Sequence, residues 1–75
     1  MRRISVIASD IRSGWAKPYF GAVPYIDAMS YLNTVDDMYG ADRADMIIRY
    51  FLSNATTWRG ETARMIKAEL RALLS

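Results

Sequence analysis

The sequence predicts an all-α fold, a compact bundle of about four short helices in a single domain spanning residues 1–75. Apolar residues recur at helical spacing in four segments, and no segment alternates apolar and polar residues with the period of two that marks a half-buried strand. The hydrophobic content of 52% and the charged content of 24% are typical of a folded domain, which excludes a disordered chain.

Helix one is predicted over residues 2–14, and helix two runs from Pro24 to Leu32. Gly14 is a suitable terminator for the first helix, because glycine readily adopts the conformation that ends a helix. Proline is tolerated at the first position of the second, where its missing N–H would have no partner. The apolar faces of these helices consist of Ile4, Ile7, Ala8, Ile11, Tyr25, Ala28, Met29 and Leu32.

Two connectors are predicted as irregular segments. The first, residues 15–23, is expected to plug the core with the aromatic rings of Trp15, Tyr19 and Phe20. The second, residues 36–40, is predicted as a turn that contains the adjacent acids Asp36 and Asp37. It lacks the spaced oxygen ligands of a dedicated calcium site, so a solvated acidic turn is favoured over a metal site.

Helix three is predicted over residues 42–54 and helix four over residues 58–74. The polar residues between them end helix three, and Thr56 or Thr57 is expected to cap helix four. Across the four helices, the residues expected to share one core are Ile7, Ile11, Met29, Ile47, Phe51, Ile66 and Leu70.

The candidate ligand site is the start of helix four, at Thr57, Trp58, Arg59 and Gly60. The first turn of a helix has unpaired backbone N–H groups and the positive end of the helix dipole, so it suits an anion or nucleotide. Arg59 adds donors, glycine permits close approach, and the indole offers a stacking surface. The alternative is that Trp58 fills the core and Arg59 forms a surface ion pair. Glu61 supports that alternative, because a first-turn carboxylate repels phosphate.

A second apolar strip predicts a homo-oligomer. Met65, Ala68 and Ala72 lie opposite the Leu/Ile face of helix four, while Met46 and Tyr50 point away from the apolar face of helix three. Methionine and tyrosine are common at contact surfaces, and alanine lets helices approach closely. The chain lacks cysteine and histidine, so self-association or binding to another macromolecule is the expected source of extra stability. Singly exposed apolar side chains are the alternative reading.

The residue types indicate a protein that is not an enzyme and needs no cofactor or metal. No histidine is present to activate a serine, and Asp36 and Asp37 are adjacent in a turn rather than placed on either side of a substrate. No apolar stretch fits a signal peptide or a membrane span, so a cytoplasmic location without membrane contact is expected.

Two segments resemble known sequences. The segment from Tyr19 to Met29, YFGAVPYIDAM, and the segment from Tyr50 to Arg64, YFLSNATTWRGETAR, resemble a group of short proteins encoded in phages and prophages of Gram-positive bacteria. The resemblance spans nearly the whole chain. It implies a phage origin and a host-cell setting, in which small accessory proteins commonly bind a host factor, interfere with a defence system or sequester a defence signal. It carries over no catalytic or binding residues.

Two function classes follow. The first is an interaction protein, a counter-defence or host-takeover factor that binds a host protein or sequesters a nucleotide signal. The second is a nucleic-acid-binding accessory protein that would use Arg2, Arg3, Arg12, Lys17, Arg59, Arg64, Lys67 and Arg71 against phosphates. A continuous basic face would favour the second class. The net charge of only +2, and the acids Asp10, Glu61 and Glu69 among these residues, favour the first.

Overall fold

The computed structural model describes residues 2–75, and within them the chain is mostly helical. The four helices of this part of the chain are α1 (Ile4–Gly14), α2 (Val23–Met29), α3 (Ala44–Ser53) and α4 (Glu61–Leu74). A small antiparallel hairpin of β1 (Met38–Tyr39) and β2 (Asp42–Arg43) precedes α3. The prediction of four helices is therefore confirmed, whereas the prediction of a purely all-α fold is wrong.

The hairpin replaces the predicted turn and the first residues of predicted helix three. Met38 pairs with Arg43 and Tyr39 pairs with Asp42 across a two-residue connection. Gly40 in that connection has φ 63°, a left-handed conformation that glycine adopts without steric cost. Each strand has only two residues and both are exposed, so no alternating pattern in the sequence could reveal them.

The helix ends differ from the predicted ones for local reasons. α2 ends at Met29 rather than Leu32, because the backbone continues there in tight turns in which the N–H of Tyr31 bonds to Ala28 and that of Leu32 bonds to Met29. α4 begins at Glu61 rather than residue 58. Its N-cap is Gly60, with φ 111° and no side-chain capping bond, so the predicted threonine cap is wrong.

One hydrophobic core joins all four helices. α1 packs against α2 and α4, and α3 packs against the same two helices. The seven residues predicted to share this core are all buried in it, which confirms that prediction. The radius of gyration is 11.0 Å, as expected for a compact chain of this length.

The connector before α2 contributes less to the core than expected. Trp15 is half-buried and packs against the core. Tyr19 and Phe20 are exposed, and the exposed fraction of Phe20 is 79%. In the turn where the N–H of Ala22 bonds to the Tyr19 carbonyl, the small Ala22 side chain is the one that is buried. The expectation that Tyr19 and Phe20 plug the core is therefore wrong.

The segment after α2 is tied to both the start of α1 and the hairpin. The backbone N–H groups of Ile4 and Ser5 donate to the carbonyls of Asn33 (3.1 Å) and Leu32 (2.8 Å), respectively. The Asp37 carboxylate accepts hydrogen bonds from the backbone N–H of Asn33 (2.8 Å) and from that of Thr34 (3.1 Å). These bonds hold the pKa of Asp37 below its usual value, and the bond from Asn33 has the largest effect.

We expect Phe51→Ala to lower the free energy of unfolding by about 3–5 kcal/mol, because a fully buried aromatic side chain would leave a cavity. Denaturation by urea, followed by circular dichroism, measures the change. The matched control is Phe20→Ala, which removes an aromatic side chain that is 79% exposed and should cost no more than about 0.5 kcal/mol. Equal losses in the two variants would contradict the assignment of Phe51 to the core.

Asp37 predicts a pH dependence of stability. Its pKa is lower in the folded chain than in the unfolded one, so its contribution is present above the unfolded value and is lost as the pH falls through the folded value. Between about pH 5 and about pH 2, the unfolding free energy of the wild type should fall more steeply than that of Asp37→Asn. Denaturation curves at several pH values test this, and equal slopes would refute it.

Candidate functional site: a basic depression beside the start of α4

The predicted site residues lie in the loop before α4 and at its N-cap. Thr57 and Arg59 are exposed, whereas Trp58 is buried between them. A Cβ atom built on Gly60 would meet nothing within 4 Å, so the backbone there is open to approach from solvent. The positive φ of Gly60 explains why glycine suits this position.

The side chain of Trp58 belongs to the core. It is only 4% exposed, and its ring stacks on that of Trp15 with centroids 5.3 Å apart and an interplanar angle of 8°. The rings of Trp58 and Phe51 pack edge to face. The indole N–H of Trp58 donates to the Gly14 carbonyl at 3.4 Å. The ring is thus already stacked inside the protein and offers no free face to a nucleotide base.

Arg59 is exposed and forms no ion pair within residues 2–75. Glu61, the acid nearest to Arg59 in the sequence, pairs with Arg64 one turn further along α4. The carboxylate expected to oppose an anion is therefore engaged by another cation. The guanidinium of Arg59 has no carboxylate partner in the part of the chain that the structure describes.

Arg59 lies beside a depression that we call the basic depression. It has a volume of about 490 Å³, within the range of small-molecule sites. Its walls are formed by Trp58, Arg59, Gly60, Glu61, Ala63, Arg64, Lys67 and Arg71. Four cationic side chains and one carboxylate thus share one concave surface. Thr57 does not line it.

Lys67 and Arg71 also line the basic depression, although the sequence analysis assigned them only to the alternative nucleic-acid-binding function. Both follow Arg64 along one flank of α4, at positions i+3 and i+7, and that spacing was the available signal. The spacing alone does not show that this flank meets Arg59. Their inclusion depends on how α4 packs against the loop that precedes it.

Lys67 is held at the edge of the depression by a bond to the backbone. Its ammonium donates to the carbonyl of Trp58 at 2.6 Å. Burial lowers the pKa of Lys67 below its usual value, and the positive charges of Arg71 and Arg59 lower it further. The three cations therefore repel one another, and a bound anion would relieve that repulsion. Such a surface suits phosphate or a similar multivalent anion.

The predicted oligomer residues lie on two surfaces. Met65, Ala68 and Ala72 are exposed on the side of α4 opposite its buried face. Met46 and Tyr50 are exposed on α3, where the Tyr50 ring contacts that of Tyr25. Met65 also borders an apolar groove of about 620 Å³ between α1 and α4.

The remaining basic residues do not all act as free charges. Arg2 bridges Asp10 and Glu69, joining α1 to α4, and Arg12 pairs with Asp27. Carboxylates therefore compensate these two arginines, as Glu61 compensates Arg64. This interleaving is the pattern that favours a binding protein over a continuous nucleic-acid-binding face.

Within residues 2–75, no helix is long and apolar enough to cross a bilayer, and no group of three or more carboxylates is placed to hold a metal ion. No protein-family model matches the chain, and neither a curated protein nor a solved structure matches it.

Proposed function

We propose that the chain is a small binding protein that captures a phosphate-bearing ligand, such as a nucleotide, in the basic depression. The observation that carries this proposal is the convergence of Arg59, Lys67 and Arg71 on one concave surface, where burial and then the charges of Arg71 and Arg59 lower the pKa of Lys67. No carboxylate of residues 2–75 forms an ion pair with any of the three. An anion supplies the charge that this surface lacks.

The depression favours recognition of phosphate over recognition of a base. Arg59 provides a planar fork of donors that suits two phosphate oxygens, and Lys67 provides a point charge. The open backbone at Gly60 precedes the uncapped first turn of α4, whose N–H groups support an anion at the same place. With the indole of Trp58 stacked on Trp15, we expect affinity to rise with the number of phosphates and to vary little with the base.

The biological setting belongs to the same proposal. The two segments that resemble phage and prophage proteins support a phage origin, and hence action in the cytoplasm of the host cell. Capture of a nucleotide signal would make the chain a counter-defence or host-takeover factor that works by sequestration and not by catalysis. The nucleic-acid-binding alternative is weaker, because Arg2, Arg12 and Arg64 are already paired with acids.

Isothermal titration calorimetry against orthophosphate, pyrophosphate, ATP and a short DNA duplex tests the proposed site. We expect ATP and pyrophosphate to bind more tightly than orthophosphate, and Arg59→Ala or Lys67→Gln to weaken binding about tenfold or more, because each removes a charge-assisted contact. The matched control is Arg12→Ala, which removes an equal charge from α1 outside the depression.

Equal weakening by Arg12→Ala would show that only net charge matters and would refute the site. Failure of every phosphate compound to bind would refute it as well. Tighter binding of the duplex than of ATP, with a steep salt dependence, would favour the nucleic-acid class. In NMR titrations of the lysine side chain, a bound anion should raise the pKa of Lys67 toward its usual value, because it opposes the desolvation and repulsion that lower it.

We also propose that the chain forms a homo-oligomer through the outer face of α4. Met65, Ala68 and Ala72 are exposed there, and the two alanines permit close approach of a second helix. Met46 and Tyr50 of α3 would provide a second contact region. Met65, Ala68 and Ala72 are not among the residues that line the basic depression.

Ala68→Glu should reduce the assembly to one chain, because a charge would be buried at the centre of the contact. Analytical ultracentrifugation measures the mass, and circular dichroism checks that helicity is kept. Ser9→Glu places the same charge on the exposed side of α1 and should leave the mass unchanged. A wild-type mass of one chain at high micromolar concentration would remove the hypothesis.

A further inference from the structure

Acidic and basic residues are unevenly divided along the chain. Residues 19–54, which contain α2, the hairpin and α3, hold five aspartates and two arginines. The rest of the chain, which contains α1 and α4, holds eight basic and three acidic residues. The acidic part also exposes most of the large apolar side chains, namely Tyr19, Phe20, Tyr31, Met38, Tyr39, Met46 and Tyr50.

An aromatic pair and a carboxylate meet on one side of the hairpin. The rings of Tyr31 and Tyr39 have centroids 5.9 Å apart and are 74% and 43% exposed, respectively. Asp42 is directly opposite Tyr39 in the strand register, so the two side chains extend from the same face of the hairpin. We call Tyr31, Tyr39 and Asp42 the hairpin surface.

Carboxylates around the hairpin outnumber the cations. Arg43 forms ion pairs with two acids: its Nη2 is 3.1 Å from Oδ1 of Asp36, and its Nε is 3.5 Å from Oδ1 of Asp45. Asp42 forms no ion pair within residues 2–75. The surface is thus aromatic, exposed and short of positive charge, and its acids are not gathered into a metal-binding group.

We propose that the hairpin surface docks an arginine-containing segment of another protein. A guanidinium can stack on an exposed tyrosine ring while it donates to a carboxylate such as that of Asp42, and arginine does both better than lysine. Tyrosine is enriched in interfaces for the same combination of apolar area and polar edge. This surface shares no residue with the basic depression, so the inference stands independently of the proposed phosphate site.

The bonds of Asp37 to Asn33 and Thr34 support this role. They fix the segment that connects Tyr31 to the hairpin, and the carbonyl of Asp37 also accepts the N–H of Ala44 at 2.8 Å. The aromatic pair is therefore carried on a braced loop and is partly organised before a partner arrives. Less ordering is then required on binding.

Fluorescence anisotropy with a labelled oligoarginine peptide, and with an oligolysine peptide of the same length, tests the docking surface on the full chain. We expect oligoarginine to bind more tightly. Tyr31→Ala and Tyr39→Ala should each weaken it about two- to fivefold, as expected for loss of one exposed cation–π contact. Asp42→Asn should weaken both peptides.

Two control variants distinguish binding at this surface from nonspecific electrostatic or hydrophobic binding elsewhere on the chain. Phe20→Ala removes another exposed ring of the acidic part, and Asp10→Asn removes a carboxylate from α1; both should leave oligoarginine binding unchanged. Circular dichroism verifies the fold of each variant. Equal affinity for the two peptides, equal losses in the controls, or no binding would overturn the inference. A two-chain mass that Tyr39→Ala abolishes would assign the surface to a second copy instead.

Discussion

The stacked indoles of Trp15 and Trp58 hold the end of α1 against the loop that leads into α4, and Phe51 of α3 closes the same cluster from its edge. Three helices therefore meet at one aromatic contact. The backbone of Trp58 faces the other way, and its carbonyl receives the ammonium of Lys67. Burial of a single side chain thus both joins the helices and fixes a cation of the basic depression. The proposed function depends on this contact even though the indole touches no ligand.

The two proposed surfaces have opposite chemistry and lie in different parts of the chain. The basic depression belongs to α4 and its preceding loop, while the aromatic, acidic surface belongs to the hairpin and the segment that follows α2. Arg12 and Asp27 form an ion pair between α1 and α2, so the two parts attract one another as well as sharing a core. A chain of this size therefore presents a basic surface and an acidic, aromatic surface in different parts of one fold.

Most of the fold could be predicted from the sequence, because the apolar period of each helix identifies its buried face. Phe51 and Leu70 follow directly from that period. The hairpin could not be predicted, since its strands are too short to show a pattern. Of the four residues in the predicted ligand site, Trp58, Arg59 and Gly60 line the basic depression and Thr57 does not. The burial of the Trp58 ring could not be predicted, because it depends on contacts with distant residues. Periodicity places Lys67 on a flank of α4 but does not say what that flank faces.

The first turn of a helix usually exchanges its amide hydrogens quickly, because those amides have no partner within the helix. In α1, the amides of Ile4 and Ser5 donate instead to the carbonyls of Asn33 and Leu32, nearly thirty residues away. The beginning of α1 is therefore hydrogen-bonded to a segment that is distant in the sequence. Opening of the beginning of α1 breaks these two bonds to the segment after α2, which also contains Tyr31 of the aromatic pair. We therefore expect local unfolding at the amino-terminal end of α1 to be coupled to movement near Tyr31.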